Sequence, residues 1–229
     1  MTARIVEMFH SIQGEGKYIG VPQVFVRFFE CNIHCVWCDT PHSIGDTTRR
    51  YKEFSLDDLT AQIQGLWPGS HSVSLTGGEP LVQADFIARL LPVLQNLRMP
   101  VYLETNGILP DALAKVIDRV DYVAMDIKLP SSTGCQPFWR EHEDFIRIAK
   151  AKDLFLKVVI SNKTTLDDVQ KAADLTSRAA PEVPFILQPN YFDMKDGVMA
   201  KCIDYQKNCL KYLRDVRIIP QVHKFMKLR

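Results

Sequence analysis

Short apolar runs rich in β-branched and aromatic residues alternate along this chain with longer stretches of helical period. PQVFVRFF at 22–29 predicts a first strand, followed by a loop bearing cysteines and a helix over 55–67. In that helix Leu56, Leu59, Ile63 and Leu66 recur every three or four residues behind a capped start at Ser55 and Asp58. HSVSLT (71–76) predicts the second strand, and QADFIARLLPVLQNL a helix in which Pro92 is expected to introduce a kink. VYLET (101–105) and YVAMDIK (122–128) predict strands three and four on either side of a helix at 110–119. A helix at 136–150 leads to strand five, LFLKVVI (154–160). Thr165 and Asp168 open the next helix, PFILQP (184–189) is strand six, and a helix over 198–213 precedes the terminal VRIIPQVHKFMKLR.

Six β-then-α units imply a parallel sheet, because parallel neighbours need a crossover that a helix provides. A doubly wound open sheet satisfies the same count. The polar and glycine-rich pieces, however, all fall just after strands: CNIHCVWCDT after the first, GGEP after the second, NG after the third and Gln188-Pro189-Asn190 at the sixth. Barrel enzymes place their chemistry at those strand ends. The expected fold is therefore an α/β partial (βα)6 barrel with short N- and C-terminal extensions, forming a single domain over residues 1–229.

Composition narrows the ligand class. With 28 Lys+Arg against 27 Asp+Glu, and the basic residues dispersed except at the C-terminus, nothing calls for a nucleic acid, and a small molecule is the expected partner. The first residues, MTARIVEMFHSIQGEG, are broken by Arg4 and Glu7 and do not form the apolar core of a signal peptide, and no segment is long enough to span a bilayer. A cytoplasmic location with reduced thiols is expected, since only Cys31, Cys35 and Cys38 of the six cysteines cluster.

Those three cysteines admit three readings. Spaced i, i+4, i+7, they could share one face of a helix as core thiols, but the segment starts directly after a strand and closes on Asp-Thr-Pro. They could bind structural zinc with His34 or a distant residue, although zinc's usual pair of two-ligand knuckles is missing. A [4Fe-4S] cubane takes four external ligands, so three thiolates would leave one iron open to a small molecule. Cys202 and Cys209, seven apart, read as core thiols, and Cys135 follows the SSTG loop. His10, His42, His71 and His142 have ordinary surface or hydrogen-bonding explanations, and Glu15 and Lys17 read more readily as solvated charges than as substrate contacts.

The spacing CxxxCxxC with an aromatic residue before the last cysteine resembles the radical S-adenosylmethionine (SAM) superfamily. LTGGEP (75–80), taken alone a tight turn, matches that superfamily's glycine-rich motif for the methionine ammonium of SAM. SIQGEG, FVRFFECNIHCVWCDT, TGGEP and PQVHKF together resemble the 7-carboxy-7-deazaguanine synthases of the queuosine pathway, from about residue 5 to the C-terminus. Members convert 6-carboxy-5,6,7,8-tetrahydropterin to 7-carboxy-7-deazaguanine with loss of ammonia, and depend on magnesium. The nearest rival is an activase of a glycyl-radical enzyme; the non-enzymatic one is a zinc-stabilised binding module.

What the resemblance implies can be carried over position by position. Cys31, Cys35 and Cys38 would hold the cluster, and Thr40 would give its hydroxyl to Mg²⁺. Trp37, Cys38, Asp39, Gly78, Asp126, Ile127, Lys128, Gln188, Pro189, Asn190 and Tyr191 would contact SAM. Ile12, Gln13, Gly14, Arg27, Thr76, Glu104, His223 and Arg229 would form the substrate site, with Arg27 near a carboxylate and Glu104 facing the pterin. Arg27 must face inward for this role, which the alternation in VFVRFF leaves open. The family also implies a homodimer and a flavodoxin or ferredoxin as electron donor. With three-and-two cysteine spacing, the resemblance also implies that the larger insertion some members carry is absent here.

Overall fold

Strand β2 (Pro22–Phe28) lies between two neighbours and buries Val24, Val26 and Phe28 completely, which explains its nearly continuous apolar sequence. The structure, a computed structural model, describes residues 1–45 and 51–228. Strands β4 (Ser72–Gly77), β5 (Val101–Thr105), β6 (Tyr122–Asp126), β7 (Asp153–Ile160) and β8 (Phe185–Pro189) follow β2 in order, each parallel to the last. These are the six expected strands, displaced by two residues at most. The open sheet with its helical crossovers is the partial barrel the repeating pattern implied.

Three further strands extend the sheet beyond that expectation. β1 (Ala3–Ile12) pairs antiparallel with β2, and β3 (Lys52–Phe54) pairs antiparallel with β1. β9 (Val216–Ile218), inside the segment read as a terminal extension, adds a parallel edge beside β8. The order is β3-β1-β2-β4-β5-β6-β7-β8-β9. The N-terminal extension is thus a ten-residue strand, and its alternation of apolar and polar residues in ARIVEMFHSI was the available signal.

Helix α1 (Leu56–Leu66) begins at Ser55, whose hydroxyl accepts the Asp58 amide at 3.1 Å. α2 (Ala84–Asn96) keeps Pro92 inside one continuous helix. The stretch expected at 110–119 divides into α3 (Pro110–Ala114) and a 3-10 turn at Ile117–Arg119. The helix expected at 136–150 is α5 (Trp139–Ala149), and an additional short helix, α4 (Pro130–Thr133), ended by Gly134 with φ of +74°, precedes it. α6 (Leu166–Ala179) is capped by Thr165, α7 (Val198–Cys209) buries Cys202 and Cys209, and α8 (Val222–Met226) closes the chain. The main core lies between these helices and one face of the sheet; Tyr102, Phe155 and Ile186 form a smaller group apart from it. No helix among the described residues is long and apolar enough to cross a membrane.

Candidate active site

Side chains alternate across a strand, so residues two apart share a face. Phe25 and Arg27 of β2, Tyr102 and Glu104 of β5, Ala124 and Asp126 of β6, and Phe155, Lys157 and Val159 of β7 line one cavity of about 440 Å³. The register sets Arg27 beside Thr76 of β4 and Asp126 beside Lys157. Arg27 therefore faces inward. Its Nε lies 2.8 Å from Glu7 Oε1, supplied by β1 directly across the ladder. Glu104 accepts hydrogen bonds from Gln13 Nε2 (2.8 Å), Thr76 Oγ1 (3.0 Å) and Ser74 Oγ (3.2 Å), which fix the carboxylate within the cavity.

The chain leaves β2 through Glu30, whose φ of +85° turns it sharply into the cysteine loop. No helix forms over 31–38, which removes the reading of three thiols on one helical face. Instead Val36 N donates to Thr133 O at 2.9 Å and Cys38 N to Cys35 O at 3.1 Å, holding an irregular loop with Cys31, Cys35 and Cys38 on the cavity wall and free of disulfides. Burial pushes the Cys31 thiol up and the Cys35 thiol to about 12. Such thiols stay protonated unless a strong positive charge such as a metal stands against them. Cys135 donates to His34 O at 3.5 Å and is not among the cavity-lining residues.

Beside the cysteines, Trp37 Nε1 donates to Ser132 Oγ at 3.0 Å, and Lys128 Nζ sits 4.9 Å from the Trp37 ring centre. Lys128 also pairs with Asp126 at 2.9 Å. Burial lowers the Lys128 pKa, but Asp126, with smaller help from Cys35 and Cys31, raises it further and keeps the ammonium charged. Asp126 Oδ1 and Gln188 Oε1 are buried without a hydrogen-bond partner among the described residues. Two orphan acceptors on one cavity wall call for a ligand rich in donors. Gly78 reaches the wall because it has no Cβ: one would lie 2.4 Å from Glu30 O. Glu79 turns away, fully buried, and accepts from Leu81 N, Thr105 Oγ1 and Asn106 N at 2.7–3.0 Å. It ties the end of β4 to the end of β5.

Of the other residues expected here, Ile12, Gln13, Gly14, Asp39, Thr40, Asn190 and His223 line the cavity. Ile127 packs in the core, Pro189 ends β8, and Tyr191 is exposed against Phe225; none of the three is on the wall, whereas Phe192 is. Arg229 lies outside the described residues. Lys17 pairs with Asp153 away from the cavity.

Glu15 departs from its reading as a solvated charge. It lines the cavity, pairs with Lys157 and accepts from Gln221 Nε2 at 2.7 Å. Burial would raise its pKa, but Lys157 and these hydrogen bonds outweigh burial and hold it at about 2. Gln221 also donates to Asp39 at 3.1 Å, and Lys224 pairs with Asp39 at 2.9 Å, so the segment leading into α8 bolts the QGEG loop to the cysteine loop. His223 packs so closely on Gly14 that a Cβ there would lie 2.2 Å from its Nδ1. Lys157, Gln221 and Lys224 were missed. A lone lysine amid the apolar run LFLKVVI was the available signal for the first, since a lysine buried in a strand needs a partner.

Residues 26–179 match the Radical SAM superfamily. The chain is 40% identical to the 7-carboxy-7-deazaguanine synthase of Geobacter sulfurreducens, covering 98% of this chain and 97% of that protein. The chain belongs to the 7-carboxy-7-deazaguanine synthase family. A second member, from Archaeoglobus fulgidus, is 36% identical over the full length of both chains. The fold matches the crystal structure of QueE from Escherichia coli with a TM-score of 0.67 at 21% identity, over 97% of this chain and 95% of that one. The activase and zinc-module alternatives find no support among these relatives.

Radical SAM membership implies a [4Fe-4S] cluster and SAM. The residues present fit both. Three free thiols share one wall, and the orphan acceptors on Asp126 and Gln188 lie on the same cavity, within reach of a cofactor bearing an amine, hydroxyls and an ammonium. The cavity's volume falls in the usual range for small-molecule sites.

Proposed function

We propose that this chain converts 6-carboxy-5,6,7,8-tetrahydropterin to 7-carboxy-7-deazaguanine with loss of ammonia. The observation that carries this reading is that the cysteine trio shares a single cavity with an inward-facing arginine and a fixed carboxylate. When bound, the cluster and SAM supply the one-electron chemistry that removes hydrogen from the substrate. The chain's own residues bind and orient. Arg27 receives the substrate carboxylate, and Glu104, held by three donors, accepts N–H groups from the pterin ring. Gln13, Gly14, Ile12, Thr76 and His223 enclose the ring, and the segment at α8 excludes water by closing on Gly14. Trp37, Lys128, Asp126, Gln188 and Asn190 receive SAM.

Mg²⁺ belongs to the same reading, with Thr40 as its protein ligand. A donor atom each from Glu15, Asp39 and His223 lies within 4.8 Å of the other two, which makes this end of the cavity suited to a hard cation. Glu15 and Asp39 are paired with Lys157 and Lys224, so in this reading Mg²⁺ takes its remaining ligands from substrate oxygens and water, with the two carboxylates close by. A flavodoxin or ferredoxin delivers the electron, and the working form is a homodimer.

The test is an anaerobic assay by mass spectrometry with SAM, reductant and the carboxypterin. Formation of the deazaguanine is expected. Absence of that product from a preparation carrying its full iron and sulfide would overturn the reading.

A further inference from the structure

Lys157 stands on the cavity wall between two carboxylates, Glu15 and Asp126. Its Nζ pairs with Glu15 Oε2, next to Gln13 and Gly14, and lies 3.6 Å from Asp126 Oδ2, beside Lys128 and the orphan Asp126 Oδ1. The ammonium is mostly buried, with 16% of its side chain exposed, so its position is set by these two carboxylates rather than by water. Lys128 sits 2.9 Å from the same Asp126 oxygen, which already shares that oxygen between two cations. Resting on the functional reading above, we propose that Lys157 is a positioning residue through which SAM and the pterin bind cooperatively.

The physical sequence is short. A donor from SAM satisfying Asp126 weakens that carboxylate's hold on Lys157. The ammonium, which already donates to Glu15 and stands 3.6 Å from Asp126, then loses that competing pull and tightens on Glu15, a carboxylate that Gln221 also holds. A Glu15 fixed in this way leaves less ordering for the pterin to impose, so the second ligand binds more tightly than it would alone. By linkage the pterin must tighten SAM by the same factor. The burial of Lys157 agrees with a permanently charged bridge: desolvation lowers its pKa, but Glu15 and Asp126 together raise it further.

The experiment is calorimetry on the cluster-loaded protein without reductant, titrating SAM in the presence and absence of 6-carboxytetrahydropterin. Wild-type protein is expected to bind SAM about tenfold more tightly with the pterin present. Lys157→Met should bring that ratio to about one while SAM alone binds within about threefold of wild type, and Lys157→Arg should retain most of the coupling. Glu15→Gln removes the other end of the bridge and should also abolish it, which keeps the test decisive if Lys157→Met fails to fold. Coupling preserved in both Lys157→Met and Glu15→Gln, or absent from a wild-type protein that binds both ligands, would overturn the inference. A wild-type protein that binds SAM but no pterin overturns the functional reading, and this inference with it.

Discussion

Arg27 and Glu7 stand opposite each other on β2 and β1, with the Arg27 Nε 2.8 Å from Glu7 Oε1, both on the cavity wall. A guanidinium oriented in this way has a planar fork aimed by its own protein, ready for a second carboxylate. Arg27→Met should raise the KM for the carboxypterin about 10- to 100-fold, the equivalent of losing a hydrogen bond to a charged group, with a smaller rise for Glu7→Gln. Arg27→Lys should not restore the wild-type value, because an ammonium lacks the fork. An unchanged KM in Arg27→Met would remove Arg27 from the substrate site.

The thiols divide by position. Single replacement of Cys31, Cys35 or Cys38 by serine should abolish retention of iron and sulfide after anaerobic reconstitution. Cys135→Ser should retain both, since its thiol binds a loop carbonyl and is not on the cavity wall. Iron and sulfide analysis of the four variants reads this directly, and a cluster surviving loss of any of the trio would contradict the assignment.

Thr40 lines the cavity two residues after Cys38. Thr40→Ala should keep the cluster yet lose the dependence of turnover on added Mg²⁺, with activity reduced. Assays across a magnesium series check this, and an unaltered Mg²⁺ response would show that another group holds the ion.

Glu79 is fully buried, and burial raises its pKa from 4.5 to about 7, although the amides of Asn106 and Leu81 and the Thr105 hydroxyl pull the other way. The folded state therefore binds more protons than the unfolded chain between these values, and this group's contribution to stability falls as pH rises from 4.5 to about 7. Glu79→Gln places an NH₂ against a donor it cannot accept from and should cost about 1–3 kcal/mol. It should also remove that share of the pH dependence, as read by urea denaturation across the window.

His142 shows the opposite sign. Burial lowers its pKa from 6.5 to about 3, against the pull of the Asn106 carbonyl, so the unfolded chain binds the extra proton as pH falls below 6.5. Stability should decline by about 1.4 kcal/mol per pH unit from this group in that range. His142→Gln should flatten the acid limb; an unchanged slope would count against a buried neutral imidazole.

Legibility differed by scale. Strands β2, β4, β5, β6, β7 and β8 were visible because each is a short, mostly buried segment rich in apolar, β-branched or aromatic residues, a local pattern that precedes any pairing. β9 is three residues long, β3 likewise, and both exist because a neighbouring edge was available to pair with. β1 had an alternation of its own, but its value as a strand comes from β2 and from presenting Glu7 to Arg27. At the site, the cysteine loop and the glycine turn were readable from spacing. Tyr191 and Phe192, adjacent in the chain, were not distinguishable, because which ring enters the cavity depends on the 3-10 turn at Tyr191–Asp196 and on Phe225.

The amino-acid sequence by itself determined the repeating β-then-α architecture, the thiol trio and the family, since local periodicity and motif spacing are properties of neighbours along the chain. Tertiary structure alone decided which charges meet. Glu15 and Lys157 are separated by 142 residues, and Gln221 lies 206 residues from Glu15 and 182 from Asp39, so only the fold brings these groups together. Burial then makes that meeting consequential, because a lysine ammonium removed from water must find an anion, and the fold supplies two.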